Sequence, residues 1–451
     1  MASDRTKRLT EGRPMSLIIS FAIPLLSGML FQQFYSLVDT IIVGKCLGVD
    51  ALAAVGSTGS VNFLIVGFVM GVCSGFTIPI AQRFGAESYD SMRKYITNSI
   101  IVSGIIAIVM TVIVCALSRQ ILLWMRTPQN IIEGAHSYIF YIFLGIPVVI
   151  VYNLSSGIMR SLGDSKTPVY FLMLASIINI ILDFVFILVF KTGVEGPAIA
   201  TVISQLISGV SCSVYLYKKY PLIKTTKGDW RLEPHHVSVL CSMGIPMGLQ
   251  YSITAIGAVI LQTAVNGIGS DAVAAITAGS KLSMFIVCPF DALGSTMATY
   301  AGQNIGARKV DRVKKGTASA MVLGAIYSVT AFMIIYFASK YLLLLFLDSA
   351  ETTIIANARQ FLIVNSVMYV FLAGVNIIRF SIQGMGYSMI AICAGVLEMI
   401  ARAMVAVVFV PKFGFSGAIL ANPVAWIMAD MFLVPCFLTL AKKKQIEFSN
   451  K

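Results

Sequence analysis

The chain has 451 residues, of which 57% are apolar and only 12% are charged, and its mean hydropathy is +0.86. Soluble domains carry about 25% charged residues, so this composition excludes a soluble protein and indicates one that crosses a membrane many times. The formal net charge of +13 is explained by basic loops that face anionic lipid. No basic domain stands apart from the apolar segments, so we expect no nucleic-acid partner.

Apolar stretches long enough to cross a bilayer as helices recur along the whole chain. The first stretch follows a polar tail and is too long for the apolar core of a cleaved signal peptide, so we expect it to remain. We predict an all-α membrane protein with twelve transmembrane helices near residues 15–44, 51–82, 95–118, 130–159, 167–190, 196–217, 234–267, 272–305, 316–346, 354–378, 380–411 and 413–441.

The cysteines occur singly, mostly within apolar runs, and no two form a CxxC pair. This spacing is typical of small buried hydrophobic residues and not of disulfides or metal ligands. We therefore predict burial for Cys46, Cys73, Cys115, Cys212, Cys241, Cys288, Cys393 and Cys436.

Basic residues are concentrated in every second connection between the predicted helices. That set includes the N-terminal tail, residues 83–94, 160–166, 218–231 and 308–315, Arg379 and the C-terminal tail. Because basic loops stay on the cytoplasmic side, we predict that both termini are cytoplasmic. Short termini without added domains favour the inner membrane of a bacterium, and we expect a monomer. The opposite set is sparse: Lys45, Arg119, Arg126, Lys191, Lys340 and Lys412.

Two carboxylates stand inside apolar helices of the first half. Asp183 follows Asn179 by one turn within the apolar run 171–190, and Asp39 lies in the first predicted helix. A carboxylate within the membrane costs about 2.5 to 3.5 kcal/mol without a partner. Asp39 lies six residues before Lys45, and Asp183 lies eight before Lys191. At the rise of an α-helix, these spacings place the two acids about 9 and 12 Å inside the outer boundary of the membrane. Two carboxylates at one depth resist simultaneous ionisation, so we predict a proton-carrying pair.

An internal repeat divides the chain into two halves. AQRFGAESYDSMRK from Ala81 is similar to GQNIGARKVDRVKK from Gly302, 221 residues later, and GVDALAAV from Gly48 matches GSDAVAAI from Gly269. Six helices per half give both halves the same orientation in the membrane. We predict a tail (1–14), an N-lobe (15–217), a cytoplasmic linker (218–233), a C-lobe (234–441) and a C-terminal tail (442–451).

The halves differ in their charged residues. Asp39 falls opposite Ile260, and Asn179 and Asp183 fall opposite Glu398 and Arg402, an i, i+4 pair of opposite charge. We interpret that pair first as a structural ion pair and second as part of a substrate cavity. The residues assigned to the substrate cavity are Gln33, Tyr35, Lys281, Asp291, Glu398 and Arg402, with Asp430 a weaker member.

Several motifs together resemble the multidrug and toxic compound extrusion (MATE) family. They are LVDTIIVG with Asp39, the paired AQRFGA and GQNIGA, GIMRSLGDSKTP from Gly157, and NIILD followed by GVEGPAIAT. The resemblance covers nearly the whole chain. It implies a cation-coupled antiporter that expels lipophilic, often cationic compounds through a V-shaped cavity between two lobes, with H⁺ or Na⁺ as the coupling ion and no other cofactor.

The resemblance also implies an ion site at Asp39, Asn179 and Asp183. It gives Tyr138 and Thr201 as polar neighbours of that site. The family's asparagine on the fourth helix is replaced here by Ser156, with Asn153 one turn earlier. The seventh helix lacks the acid found in one branch of the family, so the chain looks closer to the DinF-like branch. Proton coupling is then the first expectation, and Na⁺ at Asp39, Asn179 and Asp183 is the second.

Four other functions make different demands on the sequence. A flippase or exporter for a lipid-linked or metabolite substrate would need a wider lateral opening and a more cationic cavity. A membrane enzyme would need clustered histidines and acids, whereas none of His136, His235 and His236 lies within a spanning core beside an acid, so we predict no enzyme. A pore is disfavoured by the repeat and the asymmetric acids. The chain has no GxxxxGK[ST] loop, which argues against an ATP-driven pump.

Overall fold

The computed structural model describes residues 8–450 except 126, 346, 348 and 349, and the side chain of residue 49 is left aside. Every regular element in that part of the chain is helical. The charge assignments made for residues 1–7, Arg126 and Lys451 lie outside it. The α-helices are α1 (Pro14–Leu47), α2 (Val49–Gly85), α3 (Tyr89–Trp124), α4 (Ile132–Leu144), α5 (Ile146–Ser161), α6 (Thr167–Phe184), α7 (Glu195–Lys219), α8 (Pro234–Asn266), α9 (Ser270–Gly306), α10 (Val310–Leu343), α11 (Thr352–Val367), α12 (Tyr369–Gly384), α13 (Ser388–Met404), α14 (Val410–Phe413), α15 (Phe415–Ala418) and α16 (Ala421–Ser449).

The predicted fold class, an all-α membrane protein with twelve spans, is confirmed. Within the described residues, ten helical segments are long and apolar enough to cross a membrane unaided. Two further spans are bent pairs: α4 with α5, at 44°, and α11 with α12, at 53°. The two bends occupy matching places in the two halves of the chain, so the bend is a feature of the repeat.

The repeat extends to unusual backbone angles. Gly48 and Gly269, 221 residues apart, precede α2 and α9 with φ values of 90° and 135°. At the same separation, Glu87 and Arg308 have φ values of 56° and 57°, which are uncommon for residues with a Cβ. A π-helical turn follows α6 at Val185–Val189, and another follows α13 at Val405–Phe409. The two halves therefore share one backbone template.

Two compact units divide the chain. One contains Arg8 and Ser27–Ser252, and the other contains Leu9–Leu26 and the chain from Ile253 onward. The division passes through α1 and α8. Compared with the predicted lobes, the first unit lacks the start of α1 and includes the linker and the first part of α8, whereas the second unit includes the start of α1 and lacks the first part of α8. Both helices contain an internal proline, Pro24 and Pro246, and a proline removes one helical hydrogen bond.

Within the first unit, glycines bring α2 and α8 into backbone contact. A Cβ on Gly75 would lie 2.5 Å from the Cα of Gly244, and one on Gly71 would lie 2.5 Å from the carbonyl oxygen of Met247. Each helix carries two glycines four residues apart, Gly71 with Gly75 and Gly244 with Gly248. This is the small-xxx-small pattern that lets membrane helices pack closely.

Gly75→Ala is expected to lower the stability of the first unit by about 1 to 3 kcal/mol, because the added methyl group would overlap backbone atoms of α8. Gly59→Ala, in the same helix, places its methyl group in open space. That control is expected to be neutral or up to about 1 kcal/mol stabilising, since alanine is the better helix former. Thermal unfolding of both purified variants in one detergent checks the contrast, and equal melting temperatures would contradict it.

The linker between the repeats packs against the start of α3. The Lys94 ammonium lies 2.8 Å from the Glu233 carboxylate, and Asn98 Nδ2 donates to the carbonyl of Arg231 at 3.2 Å. At a short 3₁₀ turn, the Thr226 N–H donates to Asp229 Oδ2 at 2.7 Å. That hydrogen bond holds the pKa of the Asp229 carboxyl below its usual range. The linker is therefore a folded surface segment.

All eight cysteines are free, and their burial is mixed. Cys73, Cys212 and Cys288 are buried as predicted, whereas Cys46 and Cys393 are exposed. The prediction of burial is wrong for those two. An apolar run shows that a helix lies in the membrane, but it does not show which face points away from the protein core.

Candidate functional site

The buried face of α6 carries the polar pair. Ala175, Ser176, Asn179 and Asp183 are buried and follow the i, i+4 spacing of one helix face. Between them, Ile177 and Ile181 are 51% and 56% exposed. The π-helical turn begins two residues after Asp183, and such turns occur often at functional sites. The local sequence therefore turns its two polar side chains into the first unit and its apolar ones outward.

Asp39 from α1 meets Asp183 inside that unit. Their carboxyl groups lie close enough to interact directly, and Asp183 is 0% exposed. Tyr35, one turn before Asp39, contacts the same site and reaches Thr201 of α7. Tyr138 of α4 lies near both acids. The fold thus brings together side chains from four helices around one carboxyl pair.

The acid cluster has unsatisfied acceptors. Among the described residues, both carboxylate oxygens of Asp183, Oδ1 of Asp39 and Oδ1 of Asn179 are buried without a hydrogen-bond donor. Asn179 uses its Nδ2 to donate to Thr201 Oγ1 at 3.3 Å. Two ionised carboxylates only accept hydrogen bonds, so their contact becomes favourable when one carries a proton or when a cation sits between them. A carboxyl pair in this arrangement favours the binding of a proton or another cation.

Two predicted neighbours of the acids have other partners. Ser156 Oγ accepts a hydrogen bond from Arg160 Nη1 at 3.0 Å, and Asn153 Nδ2 donates to the carbonyl of Val149 at 2.9 Å. Neither contact reaches the carboxyl pair. Spacing along a helix predicts which residues share a face, but not which partners they meet there.

In the second unit, Glu398 holds two arginines. Its Oε2 lies 3.3 Å from Nη2 of Arg402, one turn later on α13, and its Oε1 accepts a hydrogen bond from Nη2 of Arg379 on α12. Arg402 Nε also donates to Oδ1 of Asn422 at 3.3 Å. The exposed fractions are 4% for Glu398, 5% for Arg379 and 7% for Arg402. This buried triad agrees with the structural interpretation of the Glu398 and Arg402 pair.

The charge pattern predicts that Arg379 lies in a cytoplasmic connection, and that prediction is wrong. It lies within α12 and is buried against Glu398. A signal was present in the sequence, because IIR at 377–379 matches IMR at 158–160 in the first half. An arginine that serves only as a basic loop residue would not need to occur at the same position in both repeats.

The remaining residues predicted for a substrate cavity are divided between the units. Gln33 is partly buried on α1 in the first unit. Lys281 and Asp291 are exposed on α9 of the second unit, where Asp291 interacts with Asn376 of α12. Asp430 on α16 lies near Arg379 and packs over Gly374. Among the described residues, no hydrogen bond or ion pair joins Lys281 or Asp291 to the triad.

Two helical repeats with an unsatisfied carboxyl pair on their apolar helices are typical of membrane transporters. The MatE family model matches residues 24–185 and again residues 246–408, one match for each repeat. The chain belongs to the MatE family.

Known proteins with similar sequences and structures agree with this assignment. The probable multidrug resistance protein YoeA of Bacillus subtilis is 30% identical over 99% of this chain and 97% of its own length. The FAD transporter of Shewanella oneidensis is 24% identical over 66% of this chain and 67% of its own length. A structure described as the outward-facing conformation of a multidrug resistance MATE family transporter has a TM-score of 0.93 at 22% identity and covers 99% of each chain.

Proposed function

We propose that this protein is a proton-coupled antiporter that exports lipophilic, often cationic compounds across a bacterial cytoplasmic membrane. The observation that carries the proposal is the carboxyl pair of Asp39 and Asp183, which has buried oxygens without a hydrogen-bond donor. Membership of the MatE family supports a transporter, not an enzyme, and the names of several relatives support multidrug efflux. A monomer with cytoplasmic termini and a place in the DinF-like branch remain part of the proposal.

The proposed cycle exchanges charge at the carboxyl pair. On the outer side, protons bind the pair and the organic cation leaves; on the inner side, the protons leave and the next cation binds. Exchange of one proton for one monovalent cation moves no net charge, so the pH gradient alone drives it. A second proton would add about 2.3 kcal/mol per 100 mV of membrane potential.

Sodium is the second candidate for the coupling ion. Carboxylate and amide oxygens of Asp39, Asp183 and Asn179 remain free to accept a cation, and a hard cation prefers oxygen ligands. A metabolite cargo is the second candidate for the substrate, because one relative is named an FAD transporter.

Ethidium efflux from drug-sensitive cells that express the protein tests the proposal. We expect efflux that stops when an uncoupler collapses the proton gradient and continues when sodium is replaced by choline. Loss of efflux on sodium removal at an intact proton gradient would assign the coupling to sodium. If cells with the protein in their membranes export no cationic dye, a lipid or metabolite cargo replaces the multidrug assignment.

A further inference from the structure

A second charged group in the first unit has no role in the acid cluster. Arg160 lies in the last turn of α5 and is partly exposed. One of its N–H groups donates to Ser156 Oγ at 3.0 Å. The hydroxyl groups of Tyr152 and Tyr251 and the thiols of Cys73 and Cys212 lie within electrostatic range of its guanidinium. These neighbours come from α2, α5, α7 and α8, so the guanidinium lies among helices.

Within the part of the chain that the structure describes, Arg160 forms no ion pair. The nearest acid in sequence, Asp164, accepts hydrogen bonds from the backbone N–H groups of Lys166 and Thr167, at 2.9 and 3.0 Å, and from the Tyr220 hydroxyl. It is therefore committed to the start of α6. An arginine inside a helical membrane protein is costly unless an anion, a carbonyl or water compensates it.

The repeat shows which partner is missing. Arg379 occupies the matching place in the second unit, where Glu398 binds it. The residue of the first unit that matches Glu398, 219 positions earlier, is Asn179. Asn179 is neutral and donates to Thr201, not to Arg160. The same scaffold thus supplies a carboxylate in one repeat and omits it in the other.

We infer that Arg160 receives a carboxylate group of the exported compound. A guanidinium has five N–H donors in a planar fork that fits a carboxylate in two parallel hydrogen bonds, and Ser156 takes only one of them. Because the proposed function exports lipophilic cations, the class of ligand is a lipophilic compound that carries both a cationic group and a carboxylate.

Arg160 and the acid pair act on the ligand at different depths. Helical rise along α6 places Asp183 about 24 Å from Thr167, which lies at the same end of the first unit as Arg160. A drug-sized molecule does not span that distance, so the carboxylate binds at Arg160 during entry or early transfer. This inference rests on the proposed export function. It adds to that function a preference for compounds with a carboxylate, a group that a site for cations alone would repel.

Binding of two matched dyes to the purified protein tests the inference. Tetramethylrhodamine carries a free carboxylate, and its methyl ester lacks one but keeps the cationic ring system. Fluorescence anisotropy gives both dissociation constants for the wild type, Arg160→Gln, Arg160→Lys and the charge-matched control Lys218→Gln, whose side chain is exposed at the end of α7. Size-exclusion profiles and melting temperatures check that each variant folds.

We expect Arg160→Gln to weaken binding of the free acid by at least about tenfold, the effect of one charge-assisted hydrogen bond. Binding of the ester should change less than about twofold, Arg160→Lys should give an intermediate loss for the acid, and Lys218→Gln should match the wild type. Equal losses for both dyes, or no loss for either, would refute the inference. If phosphatidylglycerol in nanodiscs abolishes the arginine-dependent difference, the guanidinium binds a lipid phosphate and the inference fails.

The same data separate this inference from the proposed export function. If the wild-type protein binds the ester but not the free acid, the proposal of cation export stands and the anion site is refuted. Wild-type protein that binds only the free acid, through Arg160, supports the anion site and contradicts export of simple lipophilic cations. Binding of neither dye contradicts both.

Discussion

Asp183→Asn is expected to abolish both drug-dependent proton release and coupled export. Asparagine keeps the size and polarity of the side chain but cannot carry the exchangeable proton. The change leaves Asp39 without the like-charged neighbour that makes the two carboxyl groups titrate together. Asp39→Asn removes the other member, so it should have the same effect. Each variant should export at less than about a tenth of the wild-type rate, since a transporter that cannot couple loses its driving force.

The measurement is the pH of a weakly buffered solution of purified protein when substrate is added, together with efflux from cells. Wild-type protein should release protons as the organic cation binds, and both variants should release none. Asp50→Asn is the matched control, because Asp50 is exposed in the first turn of α2. It should retain full release and full efflux.

A structural role for the acids would give a different pattern. Asp183→Asn protein would then have a lower melting temperature and would lose substrate binding altogether. A variant that folds, binds substrate and still releases protons would show that the pair does not carry the coupling ion.

Hydropathy and repeated motifs were sufficient to predict the helices and the two halves. A helix spans the membrane because its apolar residues are transferred out of water. The mean hydropathy of a short stretch of sequence measures that tendency without any knowledge of packing. The φ angles of Gly48 and Gly269 extend the same repeat to the backbone. The bends at 44° and 53° were not predicted, because no proline or glycine pattern in the sequence distinguishes a bent span from a straight one.

The site was less accessible to sequence reasoning. Asp183 and Asn179 were identifiable because an acid and an amide interrupt an apolar helix at i, i+4 spacing. Ser156 was placed at the acid site by distance along the chain, yet its partner is Arg160. Arg160 and Arg379 were both counted as loop cations, since counts of basic residues ignore how far a helix continues. Which side chains meet depends on the rotation of each helix, and only packing determines that.

Glu398→Gln is expected to destabilise the second unit by about 3 to 5 kcal/mol, because it leaves Arg379 and Arg402 as buried cations without their shared carboxylate. Glutamine keeps one acceptor oxygen but no charge, so one guanidinium loses both its hydrogen bond and its neutralising partner. Asp430 lies near Arg379, but it belongs to α16 and packs over Gly374, so it should compensate only in part.

An exposed ion pair in the first unit serves as the control. Arg119 Nη2 lies 2.7 Å from Glu133 Oε1, and the two side chains are 63% and 70% exposed. Glu133→Gln should therefore cost less than about 1 kcal/mol. Thermal or urea unfolding of both variants in one detergent gives the comparison. The spectroscopic probe reports on the second unit for Glu398→Gln and on the first unit for Glu133→Gln.

A triple variant separates charge from packing. Arg379→Met, Glu398→Leu and Arg402→Met together remove the ions and fill the same space with apolar groups, and such a replacement is often neutral or stabilising. We expect the triple variant to recover most of the stability that Glu398→Gln loses. If it is as unstable as the single variant, the hydrogen bond from Arg402 to Asn422, not charge neutralisation, holds α13 against its neighbours. Ethidium efflux near the wild-type level in a stable triple variant would place the triad outside the transport cycle, whereas loss of efflux in that folded protein would place it in the substrate path.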